Sequence, residues 1–165
     1  MSKKKSNSKT AVVYYSLEGN TRTIAEHIAK NANAELIEIK PKRDLNKNSR
    51  SRYFFGIFQA LSGYKPKLAS NSKSIDTFDT LFIGTPIWAG TCAPAVKSFL
   101  SKNSIKGKKI ALFCTHRGEK GLAFEKMKKL LKESQIIGEK GFCNVHKDLE
   151  KAKKKADEWL NELSL

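Results

Sequence analysis

The chain is poor in acid. It carries 16 Asp plus Glu against 32 Lys plus Arg, a formal charge of +16 over 165 residues. The imbalance is concentrated: nine basic residues and a single acid, Asp44, lie between Lys40 and Lys73, and five basic residues and no acid lie between Lys97 and Lys109. A field of that sign favours acidic proteins, anionic membrane surfaces or nucleic acid as partners. The alternative is a set of solvated lysine-rich faces with no partner. No recognised nucleic-acid motif accompanies the charge, so specific nucleic-acid binding is not expected. Cysteine is scarce too. Cys92, Cys114 and Cys143 are odd in number and widely spaced, which argues against a disulfide framework and against a CxxC or Cys/His metal centre. Three reduced thiols in a cytoplasmic protein are expected, two of them in or beside strands as small buried hydrophobes.

Long apolar runs are missing as well. None approaches the ~20 residues that a membrane-spanning helix needs. The start of the chain brings Lys3, Lys4, Lys5 and Lys9 rather than the apolar segment of a secretion signal. The expected organisation is a basic tail over residues 1–9 and one domain over 10–165, a length that suits a single core.

What is present is an alternation of strand and helix patterns. Ala11 to Tyr15 is a short run rich in β-branched and aromatic residues. Thr21 to Lys30 places Ile24, Ala25, Ile28 and Ala29 on one helical face. Glu35 to Ile39 and Leu81 to Gly84 predict the second and third strands. A helix follows near Pro94, carrying Val96, Phe99 and Leu100. Lys109 to Cys114 predicts the fourth strand, and Phe124, Met127, Leu130 and Leu131 mark the next helix. A weaker fifth strand lies between Gln135 and Cys143. Leu149, Ala152, Ala156, Trp159 and Leu163 then mark a last helix. Near-continuous apolar strands between amphipathic helices predict a doubly wound five-stranded parallel sheet, order 2-1-3-4-5, with helices on both faces. One segment breaks the rhythm. The long connection from Ile39 to Thr80 holds Phe54, Ile57, Phe58 and Leu61 at helix spacing, which predicts an extended crossover containing one helix.

Three loops carry the chemistry. Ser16-Leu17-Glu18-Gly19-Asn20-Thr21 joins the first strand to the first helix, where N–H groups and small hydroxyls converge at the positive end of a helix dipole. It has no Lys, so it differs from a triphosphate loop and suits a phosphate monoester. It also reads as a turn with Asn20 or Thr21 capping the helix. Gly84-Thr85-Pro86-Ile87-Trp88-Ala89-Gly90-Thr91 follows the third strand, at the switch point where open sheets bind ligands. Its indole either lies flat on a planar ring or packs as core. Cys114-Thr115-His116-Arg117-Gly118-Glu119-Lys120-Gly121 follows the fourth strand at the same edge. His116 reads as a surface residue or, less simply, as an acid/base.

Together these loops resemble the flavodoxin family. "VVYYSLEGNTRTIAEHIA" resembles its first strand, phosphate loop and first helix. "LFIGTPIWAGTCAPAVKSFL" resembles its third strand, first flavin-flanking loop and following helix, and "KGKKIALFCTHRG" its fourth strand and second flanking loop. The resemblance implies a flavodoxin-like fold, FMN as cofactor, and electron transfer with partner proteins, here acidic ones. It implicates Ser16, Gly19, Asn20 and Thr21 for the phosphate, with Leu17 and Glu18 in the same loop, and Trp88 for the isoalloxazine. Ile87, Ala89, Gly90, Thr115, His116 and Gly118 would line the ring edge, on loops that also bring Thr85, Pro86 and Arg117. No catalytic side chain and no metal is required. The alternative function is FMN-dependent reduction of a quinone or similar small acceptor. Three features depart from the family. Glu18 stands where members usually carry Thr, and is expected to point outward or to pair with a cation such as Arg22. Residues 115–121 have no stacking aromatic. The chain is basic where flavodoxins are typically acidic.

Overall fold

The computed structural model describes residues 9–46, 48–69 and 74–163. Most of the expected basic tail therefore lies outside the described residues. Lys9, its last member, is tied to the fold by its N–H, which donates to the Asp79 carboxylate at 3.0 Å.

The sheet contains β1 (Thr10–Tyr14), β2 (Glu35–Glu38), β3 (Thr80–Trp88), β4 (Thr91–Cys92), β5 (Lys109–His116) and β6 (Gln135–Cys143). The helices are α1 (Asn20–Asn31), α2 (Ser51–Leu61), α3 (Pro94–Lys102), α4 (Ala123–Leu130) and α5 (Leu149–Glu162). The order β2-β1-β3-β5-β6, parallel throughout, is the expected order with β4 added as a short antiparallel partner of β3. Strand alternation sends neighbouring residues into two different cores. Ala11, Val13, Leu81, Ile83, Ile110 and Leu112 point to the face covered by α3 and α4, where Val96, Phe99, Phe124 and Met127 meet them. Val12, Phe82, Ala111 and Phe113 point to the face covered by α1 and α5, against Ile24, Ile28, Ala156 and Trp159. That double burial is why the central stretches of β1, β3 and β5 are apolar without alternation.

Strand β3 runs further than its apolar stretch predicts. Pro86 still pairs with Thr115, and Ile87 and Trp88 then pair with Cys92 and Thr91. Ala89 and Gly90 close this hairpin at φ +49° and +68°, the sign that a two-residue turn matching the strand twist requires. Gly84 sits where β3 crosses the ring of Phe113, and a Cβ there would lie 2.2 Å from that ring.

The three cysteines are free, with Cys92 and Cys114 buried and Cys143 exposed. Burial raises the Cys92 thiol above its ordinary value and pushes that of Cys114 up to about 12, so both stay protonated and unreactive.

Candidate functional site

The C-terminal ends of β1, β3 and β5 open into one cleft of about 360 Å³. Helix α1 begins at its floor. Gly19 occupies the N-cap in the left-handed region, φ +96°, and gives no side-chain cap. Its N–H donates to Ser16 Oγ at 3.1 Å. Its carbonyl accepts from the Thr23 N–H and from Thr23 Oγ1, each at 3.0 Å. Asn20 and Thr21, no longer needed as caps, line the cleft beside Ser16. Thr21 is buried, and its hydroxyl hydrogen-bonds that of Thr115 at 2.8 Å, which clamps the loop after β1 to the end of β5. First-turn N–H groups, small hydroxyls and a helix dipole thus converge on one end of the cleft.

Pro86, Ile87, Trp88, Ala89 and Gly90 form one wall, and Thr115, His116, Arg117 and Gly118 form the other. The Trp88 indole stands edge-on to Tyr15, with centroids 5.7 Å apart and planes at 82°. Gly56 of α2 backs it, where a Cβ would lie 3.6 Å from the indole. Gly121 fixes the spacing of the two walls. A Cβ on it would lie 2.7 Å from the Gly90 backbone, and the Leu122 N–H donates to the Gly90 carbonyl at 3.1 Å. His116 is turned into its own loop. Its Nδ1 donates to the Gly118 carbonyl, and its Nε2 packs against β6 at Gly141.

Most of the sequence-selected residues meet here, Leu17 and Glu18 included. Two do not line the cleft. Gly19 shapes the loop, and Thr85 is fully buried. The Thr85 hydroxyl accepts from the Ala93 N–H at 2.9 Å and donates to the Pro86 carbonyl at 2.9 Å, which ties the hairpin to the start of α3. Glu18 does not pair with Arg22, whose guanidinium is taken by Glu38. Instead Glu18 binds Arg52 of α2 at 3.0 Å and Arg117 at 2.8 Å. Two guanidiniums flank that carboxylate and offset its charge locally, while Glu119, which also lines the cleft, leaves the lining balanced in formal charge. Arg52, Gly56 and Ile57 reach the cleft from the long crossover, and Val145 and His146 from the turn after β6. None was selected from sequence. The sequence signal was the acid Glu18 in the loop after β1, which called for a cation but pointed to Arg22 rather than to Arg52.

Among the described residues, no group of three His, Cys, Asp or Glu could hold a metal ion, and no helix is long and apolar enough to cross a membrane.

A doubly wound sheet with an uncapped helix N-terminus at one end of its switch-point cleft and an indole on the wall defines a flavodoxin-like protein. The flavodoxin family profile matches residues 9–163, and the chain belongs to that family. A crystal structure of a candidate flavoprotein from Bacteroides eggerthii is similar at 26% identity and TM-score 0.76, covering 96% of this chain and 99% of that one. A flavoprotein from Lactobacillus acidophilus, crystallised in complex with FMN, is similar at 23% identity and TM-score 0.68, covering 85% and 97%. The oxidised flavodoxin 2 of Bacillus cereus shares the fold at 18% identity and TM-score 0.54, covering 94% and 99%. No curated protein matches the chain.

Proposed function

We propose that this chain binds FMN in the cleft and acts as an electron-transfer flavoprotein. The observation that carries the reading is the two-ended cleft. Uncapped α1 amides with Ser16, Asn20 and Thr21 suit a phosphate monoester, and Trp88 lies on the wall beyond them. The chemistry of these groups fits FMN: fixed N–H and hydroxyl donors for a dianion, a flat aromatic for a flat ring, and two guanidiniums, Arg52 and Arg117, that offset the Glu18 carboxylate beside them. When bound, the flavin supplies transfer of one or two electrons, and the protein supplies position and electrostatics. The chain's residues hold the phosphate, shield one side of the ring with Trp88 and set the field. The basic surface favours acidic redox partners in the cytoplasm.

Calorimetry in phosphate-free buffer tests the reading, and FMN should bind far more tightly than riboflavin. Equal affinities would remove the phosphate assignment. Trp88→Ala should weaken FMN by about 1–3 kcal/mol, by analogy with base–aromatic stacking, and relieve quenching of its fluorescence. Unchanged affinity and quenching would leave Trp88 as packing for Tyr15 and Gly56.

One observation favours a second reading, reduction of a quinone or similar small acceptor. The wall at residues 115–118 offers no aromatic, and the His116 imidazole is held by the Gly118 carbonyl, which leaves that side of the cleft open to a second molecule. Steady-state turnover with NAD(P)H and a soluble quinone separates reductase from carrier.

A further inference from the structure

Helix α2 is inverted. Its small residues Gly56 and Ala60 face the protein and are buried, while its large apolar residues face water. Phe54 is 78% exposed, Phe58 66%, Leu61 65%, Phe55 53% and Ile57 49%. None of its described side chains belongs to either core. Tyr64, just past its C-terminus, is 45% exposed. An outward row of this kind on a single helix is more than scattered surface hydrophobicity, and marks an interaction site.

We propose that the outer face of α2 docks on an anionic phospholipid surface, lying in the headgroup region without crossing it. Charge selects the occupant. Arg50 precedes the helix, Lys65 and Lys67 follow it, and Lys42 and Arg43 precede it in the same crossover, all exposed. Asp44, the single acid between Lys40 and Lys73, is bound by the Tyr15 hydroxyl at 2.7 Å. An apolar row collared by Lys and Arg is the pattern of helices that lie in a membrane interface, where an aromatic such as Tyr64 sits at headgroup level. A second copy is disfavoured, because the contact would bring two chains of charge +16 together through their basic segments. A specific acidic protein is less well matched, because positions 54, 55, 57, 58 and 61 offer no polar side chain to fix register.

The docking goes beyond the flavin reading and does not depend on it. If both hold, Ile57, which is exposed yet also lines the cleft, brings the cleft mouth close to the lipid.

The test uses the full chain, with and without FMN, and vesicles of phosphatidylcholine with or without about 30% phosphatidylglycerol. Sedimentation should show binding only to the anionic vesicles, weakened several-fold between about 0.1 and 0.5 M salt as screening shortens. The double variant Phe54→Ser, Phe58→Ser should partition at least tenfold less. These side chains make no core contact, so it should fold with an unchanged circular dichroism spectrum. Phe58→Trp supplies a second readout: lipids brominated near the headgroup should quench its added fluorescence. No binding to the anionic vesicles would overturn the proposal. So would full binding by the double variant, which would make the attraction purely electrostatic. A vesicle-free dimer lost in the double variant, or an acidic protein that protects Phe58→Trp while vesicles do not, would assign the face to another occupant. Loss of FMN binding with vesicle binding intact would remove the flavin reading alone.

Discussion

Helices α1 and α2 are nearly equal in length, at 12 and 11 residues, and both are amphipathic, yet they sit in the fold in opposite senses. Helix α1 turns Ile24, Ala25, Ile28 and Ala29 into the core and leaves Glu26 and Lys30 in water. Helix α2 turns Gly56 and Ala60 inward and leaves Phe54, Phe55 and Phe58 in water. The first is anchored by apolar area. The second is held by polar ties, chiefly Arg52 on Glu18 and Lys97 Nζ on the Ala60 carbonyl at 2.9 Å. Their tasks differ accordingly. A rigidly packed α1 keeps its N-terminus aimed at one point, whereas α2 forms one lip of the cleft and carries an apolar face that the fold does not use.

The widest contrast should be in stability. Ile28→Ala removes a fully buried side chain and should cost about 2–5 kcal/mol. Phe58→Ala, on the outer face of α2, should stay within about 0.5 kcal/mol. Urea unfolding of the two variants measures both. Similar losses would mean that α2 is packed like α1 after all.

Next in size is the tie between β1 and the crossover that carries α2. Burial raises the Tyr15 phenol far above its ordinary range, and the Asp44 carboxylate at 2.7 Å raises it further. In the unfolded chain a tyrosine ionises near pH ~10, while in the native state Tyr15 keeps its proton. Its contribution is therefore complete below about pH 10 and is lost progressively above it. Tyr15→Phe should cost about 1 kcal/mol at neutral pH through the lost hydrogen bond. It should also flatten the fall in stability above about pH 10. Denaturant midpoints across the alkaline range check this. An unchanged alkaline slope would assign it to other groups.

A smaller effect runs the other way. A Cβ at Gly56 would meet Leu45 and Trp88 at 3.6 Å, ordinary van der Waals contact. Glycine inside a helix costs conformational entropy. Gly56→Ala should therefore stabilise the protein by about 0.4–1 kcal/mol. A loss of stability would show that Trp88 and α2 are already in closest contact.

The contrast between the helices also marks what was legible in the sequence. The spacing of Phe54, Ile57, Phe58 and Leu61 gives the helix, because periodicity reports which residues share a face. It does not report whether that face is inside, and here the usual assumption of an inward apolar face fails. The strand order was legible because the central stretches of β1, β3 and β5, residues 11–14, 81–83 and 110–114, are apolar without alternation, as a sheet covered on both sides requires. The hairpin of β3 and β4 was not, because Ala89 stands at positive φ where Gly or Asn would have signalled a turn. The loops after β1, β3 and β5 were legible as the cleft because each directly follows an apolar strand. The partners of Glu18 were not, since Arg52 lies 34 residues away and Arg117 lies 99 away, and only the folded chain brings them together.

That ion triad supplies the most finely balanced test of the two helices, since it is where α2 reaches the loop that starts α1. Glu18 and Arg52 are partly exposed, at 28% and 18%, and Arg117 more so, at 58%. Pairs so close to solvent are worth about 0.2–1 kcal/mol each at most. Glu18→Gln should therefore hardly move global stability. It should instead act locally in two ways. With the carboxylate gone, α2 loses a tie to the loop after β1, and its amides should exchange faster while those of α1 stay protected. Arg52 and Arg117 then no longer share a carboxylate at the cleft rim, and FMN should bind more tightly, by less than tenfold, or about 1.4 kcal/mol. Raising the salt concentration should erase most of that gain. Hydrogen exchange resolved by helix, together with FMN titration at low and high salt, reads both effects. Unchanged α2 exchange would show that Glu18 does not hold the helix. A gain well above tenfold would show that its charge opposes the phosphate in spite of its two arginines.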